Sequence, residues 1–171
     1  MSDIYGKIES ERGALEKLAS KIPGYGGYMK KEERREADRL LREEVVRAYS
    51  AQLVRLNDVP VALLEAGQIA LLDDVDRART RLQTFIDRVR TASYGYAGLF
   101  AALKVDEAEL AKLYSFDAGL LEGINGLTSA VDAVAAPETS AQAIKALIDT
   151  TDQLNATFLQ REAVLHGTQQ A

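Results

Sequence analysis

A carboxylate stands where an aliphatic side chain belongs. Between Lys104 and Ala136, Leu110, Leu113, Leu120, Ile124, Leu127, Val131 and Val134 recur in alternating steps of three and four. That is the spacing of a helix face packed on a partner helix, and Asp117 occupies one step of the series. An ionised aspartate taken out of water is costly unless a guanidinium or a hydroxyl meets it. Arg34, Arg35 and Asp38, near the start of another helical stretch, are its expected neighbours, together with Arg81 or Arg88. The expectation is a buried polar layer of Arg34, Arg35, Asp38 and Asp117. Such a layer can fix helix register, as a buried polar residue does in a coiled coil, or it can line a pocket for a small molecule or metal.

Other reactive constellations are missing from the pattern. His166 is the only histidine, and Glu162 precedes it by four residues, so the Glu-x-x-His of carboxylate-bridged metal bundles is not formed. Nothing near His166 suggests a nucleophile and base pair. No cysteine is present, which removes thiolate metal sites and disulfides. Gly24, Gly26 and Gly27 lack the preceding strand and the Gly-Lys-Ser/Thr of a phosphate loop. No catalytic residues, metal ligands or cofactor are expected. A net charge of −5 speaks against nucleic acid as a partner.

The elements that position Asp117 are helices. Alanine, leucine, glutamate and arginine dominate, three prolines interrupt the 171 residues, and β-branched residues fall at helical spacing. A first helix over 3–22 carries Ile4, Ile8, Leu15, Leu18 and Ile22, and Pro23-Gly24 ends it. A second begins near Met29 or Lys30, with Arg34, Asp38, Leu41, Val45, Ala48, Gln52 and Leu56 as its seam. Its charge-dense start reads as a solvated face with Asp38–Arg42 and Glu43–Arg47 pairs. Pro60 kinks or breaks the chain, with Asp58 as the cap of a third helix running to about Thr91. Leu71, Val75, Ala78, Leu82, Phe85 and Val89 form that seam. Asp106 with Glu109 opens the fourth helix, and Pro137 closes it. Thr139 with Gln142 opens a fifth, with Ile144, Leu147, Thr151, Leu154, Phe158 and Leu165 inward. The polar tail begins at about 166. The fold class is therefore all-α: one domain over 1–171, an antiparallel up-and-down bundle of four to five helices, the longer ones about 30 residues.

An up-and-down path brings two tyrosine–glycine segments, 25–28 and 93–98, to the same end. Tyr25, Tyr28, Tyr94, Tyr96 and Phe100 are the expected partner or ligand surface there, since tyrosine offers contact area and a polar tip. The leading reading is a non-enzymatic interaction or scaffold protein that meets a protein partner or copies of itself. The second is a pocket around Asp117, and the third, weaker, is a peripheral membrane-stress accessory. Neither a signal-peptide core nor a run of about 20 apolar residues is present, and a cytoplasmic location is expected.

Two strings carry a resemblance. Ile22-Pro23-Gly24-Tyr25-Gly26-Gly27-Tyr28 runs into KKEERREADRLLRE, and Ala92-Ser93-Tyr94-Gly95-Tyr96-Ala97-Gly98-Leu99-Phe100 runs into KVDEAELAKLYSFD. Together they resemble an uncharacterised bacterial family of small all-helical proteins with IPGYxGY and YGYAG-type motifs. The resemblance implies a shared surface of Pro23, Gly24, Tyr25, Tyr28, Arg35, Asp38, Tyr94, Gly95, Tyr96, Lys104 and Asp117. It implies no activity.

Overall fold

A computed structural model describes residues 2–92 and 107–167. The chain forms α1 (Ser2–Lys21), α2 (Arg34–Asn57), a short α3 (Val59–Glu65), α4 (Leu72–Thr91), α5 (Glu107–Ala135) and α6 (Ala141–Gly167). The all-α bundle read from the sequence is the fold, and α5 and α6 have 29 and 27 residues. Asp106, Tyr94, Gly95, Tyr96, Phe100, Lys104 and the end of the tail lie outside the described residues, as do the side chains of Ile4, Ile8 and His166.

Four helices close a ring in the order α2, α4, α6, α5, and α1 lies on the outer side of α5. Side-chain pairs fix the directions. Tyr49 of α2 packs on Phe85 of α4 while Asn57 takes Arg79, so these two run antiparallel. Arg81 meets Asp152 and Arg88 meets Asn155, so α4 and α6 run parallel. Tyr49 reaches the Leu120 carbonyl and Arg55 pairs with Asp132, so α2 and α5 run parallel. Consecutive long helices thus alternate in direction, and α4 and α5 stand at opposite corners of the ring. The turn over 22–33 and the start of α5 share one pole. There the Tyr28 amide donates to the Tyr114 hydroxyl at 2.7 Å. The end of α2, α3, the start of α4 and the 136–140 turn share the other.

The inward faces follow the three-four spacing. In α5, Leu113, Asp117, Leu120, Leu127, Val131 and Val134 are buried, and in α4 Val75, Ala78, Leu82, Phe85 and Val89. In α2, Tyr49 takes the central position expected for Ala48. Tyr49, Phe85 and Phe158 stack edge to face at 5.2 and 6.3 Å, bridging α2, α4 and α6.

Element boundaries depart from the sequence reading in four places. A 3₁₀ turn, Lys31–Glu33, precedes α2, which begins at Arg34. Asp58 sits between α2 and α3 but makes no side-chain cap, because its own backbone is helical and the chain continues almost uninterrupted. α3 stops after about two turns. Gly67 takes a left-handed φ of 72°, and the Gly67 and Gln68 amides bond the Leu64 and Leu63 carbonyls. At α6 the cap is Ser140, whose Oγ accepts from the Ala143 amide at 3.2 Å, and Thr139 is buried instead. The Glu43–Arg47 pair is replaced by Arg39–Glu43 and Arg47–Glu44.

Two glycines of α5 separate packing from propensity. A Cβ at Gly123 falls 3.2 Å from the Tyr49 hydroxyl and closer still to Leu154 Cδ2, whereas at Gly126 it meets nothing within 4 Å. Gly126→Ala should stabilise by about 0.5–1 kcal/mol through helix propensity. Gly123→Ala should destabilise by about 1–3 kcal/mol through overpacking. Urea midpoints compare the two, and shifts of the same sign would show that α5 and α6 are not in close contact there.

Candidate functional site

Arg161 organises the buried charge. It lies on α6, between Phe158 and Leu165, and is wholly removed from solvent. Its Nε donates to Asp117 Oδ1 at 2.6 Å, and its Nη2 donates to Asp38 Oδ1 at 2.6 Å and to the Tyr28 hydroxyl at 2.9 Å. One guanidinium therefore joins α2, α5, α6 and the 22–33 turn. Asp38 Oδ2 accepts from Arg42 Nε at 2.8 Å, one turn along α2. Asp117 Oδ2 accepts from the Tyr28 hydroxyl, and the Tyr25 hydroxyl stands 3.5 Å away. Asp38 and Asp117 thus meet Arg42 and Arg161, and Arg34 is buried nearby as a third cation.

The surrounding turn is held by the same groups. Arg34 Nε donates to the Tyr28 carbonyl at 2.7 Å, and Tyr28 packs against Tyr25 and Tyr114 with ring centres 6.1 and 5.4 Å apart. Burial pushes the Asp117 carboxyl above the usual carboxylate range, against the opposing pull of Arg161 and the Tyr28 hydrogen bond. Burial, followed by the Asp117 charge, drives the Tyr25 and Tyr28 hydroxyls well above the ordinary phenol range. Burial also raises Tyr49 and Tyr114.

Of the expected polar layer, Arg34, Asp38 and Asp117 are buried together, and Arg35 is exposed. Adjacent helical residues diverge by roughly 100°, so Arg34 and Arg35 cannot both face the core. The proposed neighbours Arg81 and Arg88 are correspondingly elsewhere, on Asp152 and Asn155. Tyr25 and Tyr28 are 6% and 1% exposed, so they do not form a surface. Their rings fill the core below the turn because their hydroxyls have Asp117 to meet. The site residue the sequence reading missed is Arg161; the expected Asp38–Arg42 pair is present, but buried instead of on a solvated face. The steps 144, 147, 151, 154, 158, 161, 165 pass through Arg161, so position alone marks it as inward.

Chemically, this is a closed ionic lock. Both carboxylates are engaged by arginine, Asp117 and Arg161 have no solvent exposure, and among the described residues no trio of His, Cys, Asp or Glu is placed to hold a metal. No protein-family model, no curated protein and no solved structure matches the chain.

Two outcomes follow from the lock. Arg161→Met strands the buried Asp117 carboxylate, while Asp38 keeps Arg42, and should cost about 3–5 kcal/mol in urea unfolding. Adding Asp117→Leu to it should recover much of that loss, because the Asp38–Arg42 pair remains and no charge is then stranded. A double variant no better than the single one would assign the loss to shape instead of charge. The raised phenols fix the alkaline behaviour. Their contribution to stability is full below the unfolded tyrosine value, about 10, and is lost as pH rises through the higher folded values. Tyrosinate absorbance from Tyr25, Tyr28, Tyr49 and Tyr114 should appear together with loss of helical circular dichroism. Ionisation of all seven tyrosines near pH 10 with helicity intact would contradict this.

Proposed function

We propose that the protein is a non-enzymatic interaction protein, a helical bundle that meets a protein partner through the pole carrying α3. The observation behind this reading is where large apolar side chains face water. Among the described residues, three of the six that are strongly exposed, Val61, Leu64 and Ile69, fall within nine residues of one another, at 59%, 54% and 64% exposure. Single exposed apolar residues are ordinary, but several close together in the chain, two on a short helix and one in the turn after it, are a feature of contact surfaces.

The titratable groups support the same reading from the other direction. Both buried carboxylates are held by arginines out of solvent, which is the arrangement of a structural core and not of a reaction centre. The pocket reading around Asp117 has less behind it, because side chains already take both of its oxygens. No described helix is long and apolar enough to cross a membrane. The surface expected from Tyr25 and Tyr28 moves to the opposite pole, while Tyr94, Tyr96 and Phe100 keep their place in the proposal as a competing face.

Affinity capture from the native cell tests the choice with three forms of the chain. These are the wild type, a Val61→Asp/Leu64→Asp/Ile69→Asp variant, and a Tyr94→Ala/Tyr96→Ala variant. The expected result is a discrete set of proteins held by the first and third forms and released by the second, with melting temperatures unchanged. Loss in the tyrosine variant alone would move the surface to that end, and identical recovery by all three would remove the interaction reading.

A further inference from the structure

Beneath α3 runs a cleft of about 380 Å³, walled by α3 on one side and by the end of α5 and the 136–139 turn on the other. Val59, Ala62, Leu63, Val134, Ala135 and Pro137 supply its apolar surface. Val61 and Leu64 stand exposed on the same helix, and Ile69 just beyond it. Thr139 lines the cleft with a buried hydroxyl that no group among the described residues hydrogen-bonds, although buried polar groups are ordinarily matched.

The charge around this cleft is uneven. Arg55, at its edge, is already paired with Asp132. Asp58 and Glu65 on the rim, and Glu138 beside it, are exposed and make no ion pair among the described residues. Most acids along the helix flanks differ: Glu36, Glu44, Asp76, Asp87 and Asp149, for example, each hold an arginine or lysine, while Glu16 and Asp73 stand singly without one among the described residues. Acid left unneutralised around an apolar cleft is complementary to a basic partner with an apolar face.

Resting on the interaction reading above, we infer that this cleft takes an amphipathic helix with a lysine- or arginine-rich polar face, presented by a partner protein. Three alternatives fit less well. Strand addition needs a sheet edge, and the described residues contain no strand. Proline-rich segments dock on aromatic grooves, and no aromatic residue lines this one. A second copy of this chain meeting pole to pole would set Asp58, Glu65 and Glu138 against themselves. Helix-in-groove recognition remains: apolar side chains at steps of three and four enter the cleft while cations meet the acidic rim, and a donor on the incoming helix can match the Thr139 hydroxyl.

The test uses the full chain with two probe peptides of about 18 residues, five helical turns. They share one leucine face and differ in the polar face, lysine in one and glutamate in the other. Methyl chemical shifts report the site. The expected result is binding of the lysine peptide at least about tenfold tighter than the glutamate peptide, weakening as salt rises. Shifts should centre on Val59, Leu63 and Val134, which line the cleft. Ala62→Asp, in the cleft wall, should abolish this binding, and Asp58→Asn/Glu65→Gln/Glu138→Gln should erase the preference between peptides without changing the melting temperature. Equal affinities, no binding, shifts away from α3, or concentration-dependent self-association through this pole would overturn the inference. If neither peptide binds while the captured cell proteins still depend on Val61, Leu64 and Ile69, the partner chemistry is wrong and the interaction reading stands. Loss of both results removes both.

Discussion

A guanidinium moved out of water keeps its charge at any ordinary pH, so everything near it must be arranged to receive that charge. Arg161 is in that position, and its two carboxylate partners come from different helices, Asp38 from α2 and Asp117 from α5. The demand is geometric as well as electrostatic. A planar fork accepts partners only in certain directions, so the rotation of three helices about their axes is specified at once. Apolar packing fills space without such directionality and tolerates sliding by a turn more readily. The lock thus supplies what the leucine and valine seams do not, a unique register for α2, α5 and α6.

The tyrosine turn is a consequence of the same requirement. Asp117 has a second oxygen, and Tyr28 supplies the hydroxyl that meets it while also accepting from Arg161. To reach that point the turn must fold down over the bundle. Arg34 holding the Tyr28 carbonyl and Tyr114 accepting from the Tyr28 amide keep it there. The glycine-rich character of the segment is therefore that of a cover seated on the polar cluster. This explains why residues that looked suited to recognition are among the most enclosed in the molecule.

Periodicity carried the fold into the sequence plainly. Most of the seams of α4 and α5 were readable, Ile86, Tyr114 and Leu121 being buried beside them, and Asp117 stood out because it broke an aliphatic series. Arg161 was hidden by its own residue type: arginine reads as solvent-facing, although the step from Phe158 to Leu165 requires an inward residue between them. Arg35 shows the converse error, in which charge density suggested a layer but the 100° turn per residue admits only Arg34. Tyr25 and Tyr28 could not be placed from spacing, since they lie in a turn where no period applies. The boundaries at Gly67 and Ser140 depend on backbone hydrogen bonds formed only once the chain has reversed, and Asp58 and Thr139 have equally good capping side chains in isolation.

The two poles end up under different physical regimes. At the tyrosine pole, charges face inward, pair with one another and are shielded from salt by burial. At the α3 pole, the same helices end in apolar contacts, exposed acids and a helix of seven residues that Gly67 cuts short. A short helix gains little from its own backbone, so α3 keeps its form because Val59 and Leu63 are anchored in the core. That leaves its outer face, Val61 and Leu64, presented on a support fixed from below by apolar contacts alone. Directional ionic contacts set the helix register at one end of the bundle, and apolar contacts seat α3 at the other. The contact surface proposed above therefore lies at the end that the lock does not govern.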